Sequence, residues 1–194
     1  MPLTARLQLL WCKLLGRVAL TLGQREDALR YFEAMNALDA SDAYAIASRA
    51  QVEDQLGRPA RALGLQRELT RLTPSQASAW FNLGFMLEKA GDLEDALAAF
   101  REATRLSPAL DRAWYGQGLV LIRLRRFDEA VEALRKNTEL QPMSPYGWYQ
   151  LARVHVDRQE PDEAAKIIRH LRGFEPKVAA QLERETGLRS APSA

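Results

Sequence analysis

Apolar positions along this chain recur at intervals of three and four residues, the spacing of one face of an α-helix. At the N-terminus, Leu3, Leu7, Leu10 and Leu14 follow one another at intervals of four, three and four residues. Acidic pairs stand where several later helices are expected to begin. The helix dipole favours negative charge at this N-terminal end. These pairs are Glu26 with Asp27, Glu94 with Asp95, Asp128 with Glu129 and Asp162 with Glu163. The pattern predicts an all-α protein built from short amphipathic helices.

A shift of 34 residues superposes the chain on itself without insertions or deletions. Four columns of this self-alignment stand out: one of alanine, one of small residues, one that begins with glycine and one of proline. Their members are Ala28, Ala62, Ala96, Ala130 and Ala164; Gly16, Ala50, Gly84, Gly118 and Ala152; Gly23, Gly57, Gly91, Arg125 and Gln159; and Pro74, Pro108, Pro142 and Pro176. Such an internal repeat predicts stacked copies of one structural unit.

Each column has a mechanical role in a unit of two antiparallel helices, A and B. Small residues let two helices approach closely, so we expect the small column of helix A to face the alanine column of helix B. Glycine ends helix A because it enters the left-handed conformation freely. Proline cannot continue a helix, so we expect the proline column to close helix B.

The repeat divides the chain into five units and a short C-terminal helix. The units span residues 9–42, 43–76, 77–110, 111–144 and 145–178, and a polar capping helix is expected over residues 178–187. Terminal units of repeat arrays need such a polar outer face. We expect residues 1–194 to form a single domain.

The third unit carries a set of residues that identifies a family. They are Trp80, Leu83, Gly84, Ala96, Phe100, Ala103 and Pro108. This set resembles the tetratricopeptide repeat pattern, with Leu87 at the place of the usual tyrosine. The second unit is degenerate, since Ile46, Arg49 and Glu53 hold the Trp, Leu and Tyr places. The resemblance implies a right-handed superhelical solenoid whose concave groove, lined by the A helices, binds extended peptides or partner helices.

Charge and cysteine content exclude several classes of protein. The 27 basic and 25 acidic residues nearly cancel, so we expect neither nucleic acid nor anionic lipid as the main partner. Cys12 is the single cysteine, which excludes an intrachain disulfide and fits a reducing compartment. Arg6, Lys13 and Arg17 interrupt the apolar N-terminal stretch, and no cleavage site follows it. We therefore expect a cytoplasmic protein, and the excess of arginine over lysine indicates a bacterial source.

Motifs for catalysis or metal binding are lacking in this sequence. The histidines, His155 and His170, have no metal-ligand spacing with cysteine, aspartate or each other. His155 holds the tyrosine place of its unit, so packing between helices is its expected role. Arg123, Arg125 and Arg126 form one basic cluster, expected to be a solvated turn. We expect no enzymatic activity, no cofactor and no metal.

The groove face of the A helices is expected to combine aromatic rings with basic and amide side chains. The residues are Lys13, Arg17, Tyr44, Gln51, Phe81, Asn82, Phe85, Arg112, Tyr115, Tyr146, Tyr149 and Arg153. Aromatic residues and arginine dominate binding hot spots, although each ring has interhelical packing as its alternative role. The set predicts a groove that reads apolar side chains and at least one carboxylate. An adaptor or assembly factor that binds a protein or peptide partner is the first functional hypothesis.

The N-terminal leucine stripe gives the second hypothesis. In an interior unit the flank carrying Leu3, Leu7, Leu10 and Leu14 would be covered by the preceding helix B, and the sequence offers no earlier unit. Either the solenoid curls so that its second unit buries part of the stripe, or another surface covers it. That surface is a second copy of the chain, a partner subunit or, less favoured, a membrane. The alternative function is a structural subunit that self-associates or docks on a membrane-bound complex.

Overall fold

The computed structural model describes residues 3–188, and this part of the chain forms eleven α-helices and no β-strand. The helices are α1 Leu3–Thr21, α2 Arg25–Leu38, α3 Ala43–Gln55, α4 Pro59–Leu72, α5 Ala77–Ala90, α6 Leu93–Leu106, α7 Asp111–Arg123, α8 Phe127–Leu140, α9 Pro145–Asp157, α10 Pro161–Arg172 and α11 Pro176–Thr186. They group into two compact units that divide between Asp92 and Leu93. The all-α prediction is confirmed, whereas the single domain over 1–194 stays a prediction.

Helices A and B alternate along the chain as expected. Unit 1 contains α1 to α5 and unit 2 contains α6 to α11, and within each unit every helix packs on the next. In unit 2, α9 also packs on α7 and on α11. The A helices are α1, α3, α5, α7 and α9. Each of α3, α5, α7 and α9 therefore has the preceding helix B along one flank.

A left-handed residue follows helix A in each of the five repeats. Gly23, Gly57 and Gly91 have φ angles of 75°, 73° and 90°. Arg125 and Gln159 hold the same column with φ angles of 58° and 61°, although a side chain makes this conformation costly. The predicted role of the column is confirmed. The backbone conformation repeats even where the glycine does not.

Proline closes three of the B helices and ties them to the next helix A. α4, α6 and α8 each end two residues before a proline of the predicted column. The proline carbonyl oxygen accepts a 2.9 Å hydrogen bond from a tryptophan Nε1 six residues later; the pairs are Pro74 with Trp80, Pro108 with Trp114 and Pro142 with Trp148. Pro176 departs from the prediction because it begins α11, which spans Pro176–Thr186 rather than 178–187. The first turn of a helix accepts proline, whose missing N–H would have had no partner there.

The small residues of helix A meet large side chains of helix B. A Cβ atom added at Gly16 would lie 2.7 Å from Cε1 of Phe32, and one added at Gly118 would lie 2.6 Å from Cδ2 of Leu134. Phe32 and Leu134 lie one turn after the alanine column. The nearest neighbour of the small column at these two positions is thus this larger residue, whereas the predicted contact with the alanine column stays a prediction.

Buried amides join helix B to the helix A that follows it. Nε2 of Gln66 on α4 donates a 2.8 Å hydrogen bond to the carbonyl oxygen of Ala79 on α5. Nε2 of Gln117 on α7 donates a 2.7 Å hydrogen bond to Oγ1 of Thr104 on α6. Because a buried polar group without a partner is costly, these bonds fix how neighbouring repeats stack within each unit.

Candidate functional site

The A-helix face of unit 2 forms an aromatic surface around a cavity of 300 Å³. Tyr115 of α7 and the pair Tyr146 and Tyr149 of α9 line it, together with Val178 and Gln181 of α11. Tyr146 is 71% exposed, and the other two rings are half-buried. Three helices contribute because α9 packs on both α7 and α11. The structure thus brings together three of the predicted groove tyrosines.

A charged network surrounds the hydroxyl of Tyr149, one of the residues that line this cavity. The Tyr149 hydroxyl donates a 2.6 Å hydrogen bond to Oε2 of Glu185, and Nη1 of Arg153 donates a 3.3 Å bond to the Tyr149 oxygen. The hydrogen bond from Tyr149, helped by one from Gln181, lowers the pKa of Glu185. The Tyr149 hydroxyl also raises the pKa of Arg153, which lies 3.7 Å from the Glu185 carboxylate. Arg153 is therefore already paired within the chain. Arg112, on α7, is an exposed residue.

In unit 1 the predicted residues form two separate cation–aromatic contacts. Nζ of Lys13 lies 4.1 Å from the ring centroid of Tyr44, which joins α1 to α3. On α5, Nζ of Lys89 lies 5.7 Å from the ring centroid of Phe85. The remaining predicted residues of this unit are Arg17, Gln51 and Asn82, which are exposed, and Phe81, which is half-buried.

A second cavity, of 590 Å³, opens between α4 and α5 in unit 1. Its lining is mostly apolar and includes Ala60, Leu63 and Met86. At its edge, Nζ of Lys89 donates hydrogen bonds of 2.8 and 3.0 Å to the two carboxylate oxygens of Asp54. Ala60, Leu63 and Met86 were not among the predicted residues. One feature of the sequence could have pointed to this cavity: Ala60 stands in a column that is acidic in the other four repeats.

Sequence reasoning also missed the contribution of α11 to the aromatic surface of unit 2. The sequence predicted only a polar outer face for this helix, but Gln181 lines the cavity and Glu185 accepts a hydrogen bond from the Tyr149 hydroxyl. A capping helix that starts at Pro176 packs on α9 as well as on α10. It therefore takes the position of one more helix A.

α1 and the turn after it carry most of the exposed large apolar side chains in the part of the chain that the structure describes. Eight of the fourteen exposed large apolar side chains lie between Leu3 and Leu22. Leu3, Leu7, Leu10 and Leu14 are 75%, 50%, 64% and 52% exposed. All four side chains are at least half exposed, so the second repeat leaves most of the stripe in contact with solvent.

The flank that a preceding helix B covers consists of other residues than the leucine stripe. Leu10 stands in the same column as Tyr44 and Tyr146, which are both exposed. The column of Trp11 is buried in all four later repeats and that of Val18 in three of them, whereas here both side chains are exposed. The assignment of the stripe to that flank is corrected accordingly: the stripe lies beside it, and together they make one broad apolar face.

The histidines and the arginine turn are engaged within the chain. His155 is buried, and its Nδ1 lies 2.6 Å from Oε2 of Glu160. Arg126 forms an ion pair with Glu129 at 2.7 Å, and Arg125 lies over an aromatic ring at 5.5 Å. Within residues 3–188, no three His, Cys, Asp or Glu side chains are grouped to hold a metal ion. In the same range, none of the helices combines the length and apolar character needed to cross a membrane.

Comparison with known families settles the nature of the repeat. The tetratricopeptide repeat model matches four overlapping segments, residues 13–77, 48–111, 87–145 and 115–176. The chain is a tetratricopeptide repeat protein. The family and the helical solenoid predicted from the sequence are thereby confirmed. Stacked repeats of this kind are scaffolds whose surfaces bind other proteins. A search of curated proteins gave no match.

Solved structures of other tetratricopeptide repeat proteins have the same fold. A crystal structure of MamA is 19% identical, with 96% of this chain and 98% of MamA covered and a TM-score of 0.79. A fragment of MamA from Desulfovibrio magneticus RS-1 is 23% identical, with 92% and 96% covered and a TM-score of 0.78. YrrB, a tetratricopeptide protein with an unusual peptide-binding site, is 19% identical, with 87% and 88% covered and a TM-score of 0.76. At these identities the likeness shows the fold alone.

Proposed function

We propose that this protein is an adaptor or assembly factor that binds a segment of a partner protein on the A-helix faces of its repeats, and that it catalyses no reaction. The observation that carries the proposal is the cavity framed by Tyr115, Tyr146 and Tyr149. An exposed aromatic cluster around a cavity has the composition of a binding hot spot. The single cysteine keeps a reducing compartment, the bacterial cytoplasm, as the proposed location.

The proposed ligand is read first through its apolar side chains. A cavity of 300 Å³ is at the lower end of the range for ligand pockets and suits one or two side chains of a peptide. The neighbouring Arg153 can bind a ligand carboxylate only in competition with Glu185. Carboxylate recognition is therefore a secondary part of the proposal, and burial of the ligand against the rings is the main part.

The test is to measure how a partner binds when the rings are removed. The wild-type chain and the double variant Tyr115→Ala with Tyr146→Ala would be used as parallel baits in affinity capture from the source cells. The partner recovered by the wild type would then be titrated into each protein by calorimetry. We expect the double variant to lose at least about 2 kcal/mol of binding free energy, which is about a thirtyfold loss of affinity.

A matched control for this experiment is Met143→Ala. Met143 is 69% exposed, close to the 71% of Tyr146, but it lies in the turn between α8 and α9. We expect the control to bind like the wild type, and circular dichroism must show that all variants keep their helices. Equal losses in the control and in the tyrosine variant would show that the partner binds elsewhere.

A second candidate function is a structural subunit that docks on or assembles a larger complex. The observation that favours it is the exposed apolar face of α1, because monomeric proteins seldom leave a contiguous apolar patch in water. This function does not need the tyrosine cavity, and the two are separable by variants on one surface or the other.

A further inference from the structure

The interface between the second and third repeats, where α4 packs on α5, is less completely filled than the other inter-repeat interfaces. Leu63 on α4 and Met86 on α5 are both half-buried. Their counterparts at the other three interfaces are buried throughout: Leu29, Leu97 and Val131 for Leu63, and Val52, Val120 and Val154 for Met86. Leu63 and Met86 both line the 590 Å³ cavity between α4 and α5. The cavity therefore exposes apolar side chains that the repeat buries elsewhere.

Two positions that carry longer side chains at the other interfaces are alanine at this one. Ala60 stands where the other three interfaces have Glu26, Glu94 and Asp128. Ala90 stands where they have Leu56, Leu124 and Arg158. Both alanines line the cavity. The cavity thus lies where this interface lacks two long side chains.

An ion pair that links neighbouring repeats is also missing at this interface. At two other interfaces an arginine reaches a glutamate of the preceding repeat; the pairs are Arg58 with Glu26 at 2.6 Å and Arg126 with Glu94 at 3.3 Å. In the same two columns this interface has Asp92 and Ala60, so the pair cannot form. By the same repeat, Asp92 stands on the side of the interface where Ala60 lies. A carboxylate therefore takes the place of a guanidinium at the rim of the cavity.

Other charges around the cavity are paired within the chain. Nζ of Lys89 donates hydrogen bonds to both carboxylate oxygens of Asp54. Two arginines near the start of α4 lie 3.4 and 3.8 Å from the carboxylate of Glu53. Asp92 therefore adds a negative charge to a rim where these charges already have partners.

We propose that the cavity between α4 and α5 binds a bulky apolar side chain of a partner protein, and that the next residue of the partner is basic. A volume of 590 Å³ falls within the range of ligand pockets, about 300–1,000 Å³. Apolar cavities take apolar occupants, and the unbranched side chain of Met86 can adapt to their shape. The basic residue would pair with Asp92 and so restore opposite charges at this interface.

The charge of Asp92 sets this occupant apart from two alternatives. An acidic segment would be repelled by the carboxylate. A small neutral apolar molecule would fill the cavity without using it. The site shares no residue with the tyrosine cavity of unit 2, so the two proposals are independent of each other.

Met86 provides a spectroscopic probe inside the cavity. The chain contains four methionines, so isotope labelling of their methyl groups gives few NMR signals. The Met86 signal is identified by its loss in Met86→Leu, and buried Met35 and exposed Met143 serve as internal references. Circular dichroism would first show that every variant keeps the helicity of the wild type.

The ligands are three short peptides, flanked by glycine and blocked at both ends. The first carries phenylalanine followed by lysine, the second has glutamate in place of the lysine, and the third has alanine in place of the phenylalanine. Toluene is the neutral apolar ligand. Each is titrated into the wild type, Ala90→Leu, Asp92→Asn and Tyr146→Ala. Ala90→Leu restores the leucine of other repeats, and asparagine at 92 removes the charge but is equally suited to the start of α6.

We expect the phenylalanine–lysine peptide to shift the Met86 signal of the wild type saturably and to leave those of Met35 and Met143 unchanged. The glutamate peptide should bind at least about threefold more weakly, and the alanine peptide at least about tenfold more weakly. Ala90→Leu should weaken binding at least about tenfold because its side chain occupies the cavity. Asp92→Asn should bind the two phenylalanine peptides alike, and Tyr146→Ala should bind like the wild type.

Four results would overturn the proposal. The first is a Met86 signal that toluene shifts but neither phenylalanine peptide does, which would assign the cavity to small apolar molecules. The second is equal affinity of Ala90→Leu and the wild type for the lysine peptide, which would place the peptide outside the cavity. The third is a wild type that binds the glutamate peptide as tightly as the lysine peptide. The fourth is loss of binding in Tyr146→Ala, which would assign the peptide to the tyrosine cavity.

Discussion

Replacing Gln159 by glycine should stabilise the protein. Gln159 is exposed and has a φ angle of 61°, in the column where Gly23, Gly57 and Gly91 take the same conformation. The left-handed region costs a residue with a side chain roughly 1–2 kcal/mol. Glycine removes that cost but adds freedom to the unfolded chain, worth roughly 0.5–1 kcal/mol. The net gain expected for Gln159→Gly is therefore about 0.5–1 kcal/mol.

The assay is urea and thermal unfolding followed by circular dichroism. For a chain of this size a gain of 1 kcal/mol corresponds to about 2–4 °C in the unfolding midpoint. Gln159→Ala is the matched control, since it shortens the side chain but keeps the Cβ atom. The control should show no comparable gain. Equal stabilisation by alanine and glycine would refute the conformational explanation.

Gly91→Ala provides the opposite test. Gly91 has a φ angle of 90°, and a Cβ atom added there would meet no atom within 4 Å. Any loss of stability is therefore conformational rather than steric, and we expect about 1 kcal/mol. If the unfolding midpoint of Gly91→Ala did not change, the proposed cost of a side chain in the left-handed conformation would be contradicted.

Two more predictions concern packing and pH. Gly118→Val should destabilise the fold by about 1–3 kcal/mol, because even a Cβ atom at this position would lie 2.6 Å from Leu134. Gly64→Ala should stabilise the fold by about 0.5–1 kcal/mol, because Gly64 lies on α4 with open space around it. Chemical denaturation of both variants measures these changes. The hydrogen bond from Tyr149 lowers the pKa of Glu185 in the folded protein. The stability that this bond gives to the packing of α11 is therefore fully present above the usual carboxyl pKa, and it is lost as the pH falls through the lowered pKa. Hydrogen exchange in α11 should accelerate over that acid range in the wild type, and Glu185→Gln should remove this pH dependence.

Local signals in the sequence were sufficient for the repeats and their helices. The turn residues and the apolar spacing are local patterns, and the period is visible by aligning the chain with itself. All three can therefore be recognised without knowing which helices pack together. Even the left-handed backbone at Arg125 and Gln159 follows from their column, although neither residue favours it by itself. The exception was Pro176, where the same residue type begins a helix instead of following one.

The exposed flank of α1 was within reach of the sequence but was assigned to the wrong residues. The apolar spacing of the N-terminal leucines is strong, and it directed attention to Leu10 rather than to Trp11. The column of Trp11 is small in every later repeat, which is a visible signal. Its meaning became clear only through Gly147, whose neighbour on α8 shows that this column faces helix B.

The sequence by itself determined the family, the repeat and the helices. Only the tertiary structure decided which side chains meet across helices. It placed the ring of Phe32 against Gly16, and it placed Glu185 of α11 against Tyr149 and Arg153. Such contacts join residues far apart in the chain, and they depend on how helices cross and which rotamers fit. A periodic pattern specifies which face of a helix is buried, but it does not specify the atom that the face will touch.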